Sequence, residues 1–74
     1  DQPLKVVEAD AIARIIRVRD HAQDTFGRRE LAEIWLTEPN PELGGRSPIE
    51  MARTDLGARE VETVLGRIEH GVFS

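Results

Sequence analysis

The sequence is first defined by what it lacks. It has no cysteine, so neither disulfide bonds nor thiolate metal sites are available to it. No apolar run is long enough to cross a bilayer, and no secretory signal pattern is present, so neither membrane insertion nor export is predicted. A reducing cytoplasm is the expected location. The chain begins at Asp1 rather than at methionine, which leaves an upstream segment open.

Positive charge is also scarce. The net charge of −4 is a poor basis for nucleic-acid binding, which depends on neutralising phosphates. Lys5 is the only lysine, and the other basic residues are all arginine. Arginine suits bidentate and desolvated pairing, as a protein-binding surface would require. The codon usage of a GC-rich genome explains the same bias, and the sequence does not decide between the two explanations.

The sequence offers no catalytic or metal-binding pattern. His21 and His70 lie far apart, and neither belongs to a cluster with metal-ligand spacing. Ser47 is better explained as a helix cap than as a nucleophile, since no base and orienting acid accompany it. Gly44-Gly45 is too short for a phosphate-binding loop. We therefore predict that the domain is not an enzyme and that it binds neither a cofactor nor a metal.

Helical periodicity predicts an all-α fold, a small helical bundle in a single domain. Its 74 residues bury only about 60% of the surface of the unfolded chain, so a thin core is expected. The first helix is predicted over residues 4–25, with Gly27 as its stop. Its main apolar stripe consists of Leu4, Val7, Ala11, Ile15, Val18 and Ala22. Ile12 and Ile16 form an adjacent apolar face, beside Ala9 and Ala13. That face indicates either self-association or contact with an upstream domain, unless the remaining helices cover it.

Three shorter helices follow. The second is predicted over residues 29–37, with Leu31, Ile34 and Trp35 on one side, and Trp35 is interpreted either as a core anchor or as an interface residue. The third is predicted to begin at Ser47 and to end near residue 54. The fourth is predicted to begin at residue 57 or 58 as an amphipathic helix and to end at His70, with Gly71 in the left-handed conformation after it. Its apolar side carries Val61, Val64, Leu65 and Ile68, and its polar side carries Arg59, Thr63, Arg67 and His70.

The connection between the second and third helices is unusually well specified. Pro39 ends the preceding helix, and Asn40-Pro41 and Gly44-Gly45 are turn signals. Ser47-Pro48-Ile49-Glu50 predicts a helix start with a capping box. We expect a positive φ at one of the two glycines and a buried Leu43. The connection is also too long for the turn of a DNA-binding helix-turn-helix, so direct DNA binding by this segment is not expected.

The same residues carry a family resemblance. Trp35-Leu36, Pro39-Asn40, Leu43-Gly44-Gly45 and Pro48 follow one another in an order similar to that of the toxin-binding domain of Xre/MbcA/ParS-type antitoxins. Gly57, Val61, Leu65 and Gly71 extend the likeness. The resemblance covers residues 26 to 74, whereas the first 25 residues resemble the family only in being helical.

The resemblance implies a function. It implies an antitoxin domain over residues 28–74 that neutralises a RES-domain toxin, an enzyme that consumes NAD⁺ or transfers ADP-ribose from it, by occluding the NAD⁺ site. Residues 1–27 would then serve self-association through Ile12 and Ile16, or link to an upstream DNA-binding part. The residues implied to face the toxin are Arg67, His70, Gly71, Val72, Phe73 and Ser74. A terminal carboxylate would mimic an anionic part of the nucleotide. The alternative is a dimerisation or DNA-associated helical module of a transcriptional regulator.

Overall fold

The computed structural model describes the backbone of residues 3–73 and the side chains of residues 9–71. The elements are α1 (Pro3–Phe26), α2 (Arg29–Thr37), a 3₁₀ helix (Pro41–Leu43), α3 (Pro48–Met51) and α4 (Asp55–Phe73). Within this range, the only β-type pairing is an isolated bridge between Asn40 and Arg46. The fold is therefore an all-α bundle, as the sequence predicts. None of the described helices combines the length and the apolar character needed to span a bilayer.

A glycine turn brings α2 back against α1. Gly27 has a φ of 75°, and its N–H donates to the carbonyl of Gln23 at 2.8 Å, which ends α1. Arg28 is extended, and α2 begins immediately after it. The rings of Phe26 and Trp35 then meet with their centroids 5.7 Å apart. Trp35 thus packs against the edge of the core on the side where α1 and α2 join.

The core lies between α1, α2 and α4. Its buried side chains are small or aliphatic: Val18, Ala22, Ala32, Leu36, Leu43, Ala52, Ala58, Val61, Val64 and Leu65. The predicted apolar side of the last helix is confirmed, because three of its four residues are buried and Ile68 packs against them. Its polar side is exposed, also as predicted.

The side of α2 that carries Leu31 and Ile34 faces outward. Leu31 and Ile34 remain 44% and 58% exposed, whereas Ala32 and Leu36 are fully buried. Ala32 and Leu36 stand one turn apart, so they lie on the same side of α2. Leu31 and Ile34 line the outer side of α2, and Trp35 is half-buried.

The two ends of α1 differ in packing. Its 24 residues span about 36 Å, which is longer than either of the two shorter dimensions of the molecule, 23 Å and 20 Å. The residues that meet the core begin at Ile15, and none of the apolar side chains described before it is buried. Ile12 and Ile16 are 57% and 51% exposed. The other helices therefore leave the second apolar face of α1 uncovered. Leu4 and Val7 lie outside the described side chains.

The last helix is longer than predicted at both ends. It begins at Asp55 because the Thr54 hydroxyl accepts the N–H of Gly57 at 3.0 Å and so caps the first turn. It continues through Gly71 to Phe73, whereas the sequence pattern predicted its end at His70. Gly71 does not take a positive φ, so its predicted role as a left-handed terminator is wrong. The third helix is shorter than predicted, since α3 ends at Met51 and a turn over residues 52–54 follows.

Gly57 has a structural role beyond helix initiation. A Cβ built on it would overlap the carbonyl oxygen of Met51, and it would lie 2.7 Å from the carbonyl carbon. The first turn of α4 therefore rests directly on the last backbone carbonyl of α3, and only glycine permits that approach. Gly66 is different, since no atom lies within 4 Å of the position that its Cβ would occupy. Within the described chain, Gly66 is not a site of close backbone approach.

Candidate functional site

Asn40 organises the connection between α2 and α3. Its side-chain oxygen accepts the N–H of Glu42 at 2.9 Å, and its carbonyl accepts the N–H groups of Leu43 and Gly45, each at 2.9 Å. Its own N–H donates to the carbonyl of Arg46 at 3.0 Å. Asn40 is also buried, at 9% exposure. The sequence pattern identified Asn40 only as a turn residue, although an Asn before Pro is a known signal for a side-chain-to-backbone turn.

The two glycines let the connection close on itself. Gly44 and Gly45 have φ values of 69° and 85°, both in the left-handed region. This geometry directs Leu43 into the core, where it is only 6% exposed. At the end of the connection, Ser47 and Glu50 form the predicted capping box, with both of its hydrogen bonds at 3.2 Å. Pro48 is buried at the first position of α3. The connection therefore presents a fixed surface beside α4.

A groove separates the 3₁₀ helix from α4. It has a volume of about 310 Å³ and is lined by Glu42, Leu43, Glu60, Thr63, Val64 and Arg67. At one rim, the guanidinium of Arg67 lies 3.3 Å from the carboxylate of Glu42. Both side chains of this ion pair are mostly exposed, so water screens their attraction. The pair nevertheless spans from the connection to the last helix.

Polar contacts orient α4 along α1. Arg17 meets Glu62 at 3.1 Å, and further along both helices the Thr25 hydroxyl donates to Glu69. His21 also lies 3.4 Å from Glu69. Because residue numbers rise together on both helices, α4 runs parallel to α1. At the start of α4, Arg14 donates to the carbonyl of Arg53 at 2.9 Å.

This orientation separates the two predicted interaction sites. Arg67, His70 and Gly71 are exposed near the C-terminal end of α4, around Glu69, the residue that Thr25 contacts. Ile12 and Ile16 lie near the opposite end of the two parallel helices α1 and α4, close to the level at which α4 begins. The side chains of the other predicted toxin-facing residues, Val72, Phe73 and Ser74, lie outside the described residues.

The described side chains contain no group of three His, Asp or Glu residues that could hold a metal ion. His21 is placed instead in a polar contact between two helices, and His70 is exposed at the last turn described. The features that remain are a rigid connection, an acidic groove and an exposed helix end on one small helical bundle. Such an arrangement is suited to protein recognition, since it offers fixed shape and charge.

Comparison with known proteins agrees with this class. A sequence model of the antitoxin Xre/MbcA/ParS C-terminal toxin-binding domain matches residues 21–71. The chain is 47% identical over 68 residues to an antitoxin Xre of Yersinia enterocolitica. The aligned residues cover 90% of this chain and 46% of the relative. It is 44% identical, with the same coverage, to an antitoxin Xre of Photorhabdus laumondii. This chain therefore belongs to the Xre/MbcA/ParS antitoxin family, as a toxin-binding domain.

A more distant relative adds a further name. The chain is 26% identical over 83 aligned positions to a Sphingobium protein that is named Prs ADP-ribosylating antitoxin. The alignment covers the whole of this chain and 52% of the relative. The chain thus spans about half the length of the curated relatives it matches. The family match begins at His21, so it includes the C-terminal end of α1.

Proposed function

We propose that this domain neutralises a RES-domain toxin that consumes NAD⁺ or transfers ADP-ribose from it, and that it does so by occluding the NAD⁺ site of the toxin. The observation that carries the proposal is the toxin-binding family match over residues 21–71. The name of the Sphingobium relative, which refers to ADP-ribosylation, agrees with this toxin chemistry. In this proposal the domain acts by binding and carries out no reaction of its own.

The C-terminal end of α4 is the element that we assign to the toxin. Arg67 and His70 are exposed there and supply donors for acidic groups of a partner. Because the helix continues through Gly71, residues 71–73 extend in line with α4 instead of bending away as a tail. A straight, narrow helix end can enter a nucleotide cleft further than a folded-back segment can. Val72, Phe73 and Ser74 complete the proposed toxin-facing set.

Removal of residues 72–74 tests this assignment. A central aromatic anchor typically contributes about 2 kcal/mol or more, which corresponds to roughly thirtyfold in affinity. The truncated domain should therefore lose inhibition of NAD⁺ consumption by the toxin at concentrations where the intact domain inhibits fully. Phe73→Ala should reproduce most of the loss, whereas Asp24→Ala, at an exposed residue of α1 outside the proposed toxin-facing set, is the control and should retain inhibition. Equal inhibition by the intact and truncated domains would contradict the role of this segment.

A second proposal concerns residues 1–27, which we assign to self-association or to linking an upstream part. The exposed Ile12 and Ile16 favour self-association, since two β-branched apolar side chains one turn apart gain by burial against a second copy. An Ile12→Glu, Ile16→Glu variant should become more monomeric in sedimentation while its circular dichroism stays helical. Leu31→Glu with Ile34→Glu, on α2, is the matched control. An unchanged mass of the folded α1 variant would contradict the proposal.

Direct DNA binding by this domain is the less favoured function. Residues 38–47 separate α2 from α3, and α3 contains only four residues. A recognition helix needs more length than one turn to place several side chains on base edges. A DNA-binding role would have to belong to another part of a longer protein.

A further inference from the structure

The groove beside the 3₁₀ helix combines an apolar floor with acidic rims. Leu43 and Val64 are buried beneath it, at 6% and 5% exposure, and Glu42 and Glu60 are exposed on its two sides. Its volume of about 310 Å³ is at the low end of the range of about 300–1,000 Å³ for ligand pockets. It is therefore suited to one long side chain better than to a large ligand.

The charge on the groove is unbalanced. Arg67 pairs with one oxygen of Glu42, at 3.3 Å, and leaves the second oxygen open to another donor. Among the described residues, Glu60 has no ion-pair partner. Two carboxylates and one guanidinium leave the groove with one net negative charge. A cation placed between Glu42 and Glu60 would neutralise that charge.

The geometry points to an arginine side chain of the toxin as the occupant of this groove, an inference that rests on the function proposed above. The aliphatic stem and the flat guanidinium face of arginine suit the Leu43–Val64 floor, and its five N–H donors can bond to more than one carboxylate oxygen. Lysine offers a more strongly hydrated point charge, which fits an apolar floor less well. Because Arg67 belongs both to this groove and to the proposed toxin-facing end of α4, one partner can contact both.

The rigid connection supports this role. Asn40, Gly44 and Gly45 fix the backbone on either side of Glu42 and Leu43, so one wall of the groove is preorganised before any partner arrives. Preorganisation reduces the entropy that is lost on binding. The Arg67–Glu42 pair needs only a small adjustment, since both of its members are exposed side chains.

The test compares variants of the full chain for binding to a catalytically inactivated RES-domain toxin. Glu60→Gln leaves the Arg67–Glu42 pair intact, and Glu42→Gln with Glu60→Gln removes both rim charges. We expect about tenfold weaker binding for the double variant at low salt, with a smaller loss for Glu60→Gln. Asp24→Asn with Glu30→Gln removes the same charge from exposed sites that do not line the groove, and it should bind like the unmodified chain. The melting temperatures should all agree, since every substituted residue is exposed.

The outcomes distinguish a failure of the proposed function from a failure of the groove inference. If the unmodified chain does not bind the toxin, the proposed function fails. If it binds and the groove variants bind equally well, or if the control variant loses as much affinity, the groove inference fails while the function stands. A double-mutant cycle between Glu60→Gln and arginine-to-alanine variants of the toxin should show coupling at one arginine. Absence of coupling at every toxin arginine would overturn the assignment of the occupant.

Discussion

Glycines behave in opposite ways in two segments of the molecule: residues 38–57, which run from the connection to the first turn of α4, and the last turns of α4. In the first segment, Gly44 and Gly45 of the connection adopt positive φ values, and Gly57 of α4 admits a backbone carbonyl that any side chain would displace. In the last turns, Gly66 and Gly71 lie inside a regular helix, and no atom approaches the position of a Cβ on either of them. The fold thus requires glycine in the first region but not in the second.

The difference shows what a helix-ending glycine needs. After Gly27, the chain returns to pack α2 against α1, so the left-handed turn is supported by the contacts that follow it. In the connection, Gly45 donates to the carbonyl of Asn40 at 2.9 Å and Gly44 donates to the carbonyl of Pro41 at 3.3 Å, and these bonds hold the left-handed pair in place. After Gly71, no further element of the described chain packs back on the bundle, so the helix simply continues. Glycine permits a turn, but tertiary contacts decide whether one forms.

The largest effect should come from Gly57→Ala. The added methyl group overlaps the Met51 carbonyl, so α3 and α4 must move apart, and overpacking of this kind costs about 1–3 kcal/mol. We expect a value near the top of that range, because the obstruction is backbone. For a domain of this size the melting temperature should fall by about 10–20 °C in a thermal unfolding experiment. An unchanged melting temperature would mean that the close approach of α3 and α4 is wrong.

A smaller loss is expected from Gly44→Val and from Gly45→Val. Each forces a β-branched residue into the left-handed region, which costs about 1–2 kcal/mol per residue. Gly45→Asn is the matched control, since asparagine tolerates that region, and it should restore much of the stability. Chemical denaturation measures all three. If neither valine variant is less stable than the unmodified domain, these residues do not fix the connection.

The smallest effect should have the opposite sign. Gly66→Ala and Gly71→Ala replace helical glycines where a methyl group meets open space, and each should stabilise the domain by about 0.5–1 kcal/mol. The same substitution therefore destabilises at Gly57 and stabilises at Gly66, within one helix. A loss of stability at Gly71 would indicate that its backbone adopts a left-handed turn in solution after all.

Local sequence signals predict part of this fold. The bounds of α2, the stop at Gly27 and the capping box at Ser47 follow from the chemistry of a few neighbouring residues, and all agree with the structure. Thr54-Asp55 is an equally local signal for the start of α4, since a threonine cap with an acidic first turn is favourable, whereas the apolar pattern alone predicts a start at residue 57 or 58.

The features that the sequence does not predict depend on tertiary contacts. Ala32 and Leu36 are buried while Leu31 and Ile34 face outward, and a list of apolar residues does not reveal which side of α2 packs on the bundle. The groove needs Glu42 and Glu60 to be brought together across the connection, although they stand far apart in the chain. Arg67 and His70 were predicted to be on the polar side of the last helix and are exposed there, but their contact with a toxin remains a proposal.

Competition for NAD⁺ is the most direct test of the central claim, which is occlusion of the toxin's nucleotide site by this domain. The affinity of a catalytically inactivated RES-domain toxin for NAD⁺ should be measured at increasing concentrations of the domain. The account predicts that the apparent dissociation constant for NAD⁺ rises linearly with the concentration of the free domain. Residues 72–74 should be needed for this rise. Binding of NAD⁺ with unchanged affinity to the toxin saturated with the domain would contradict the account.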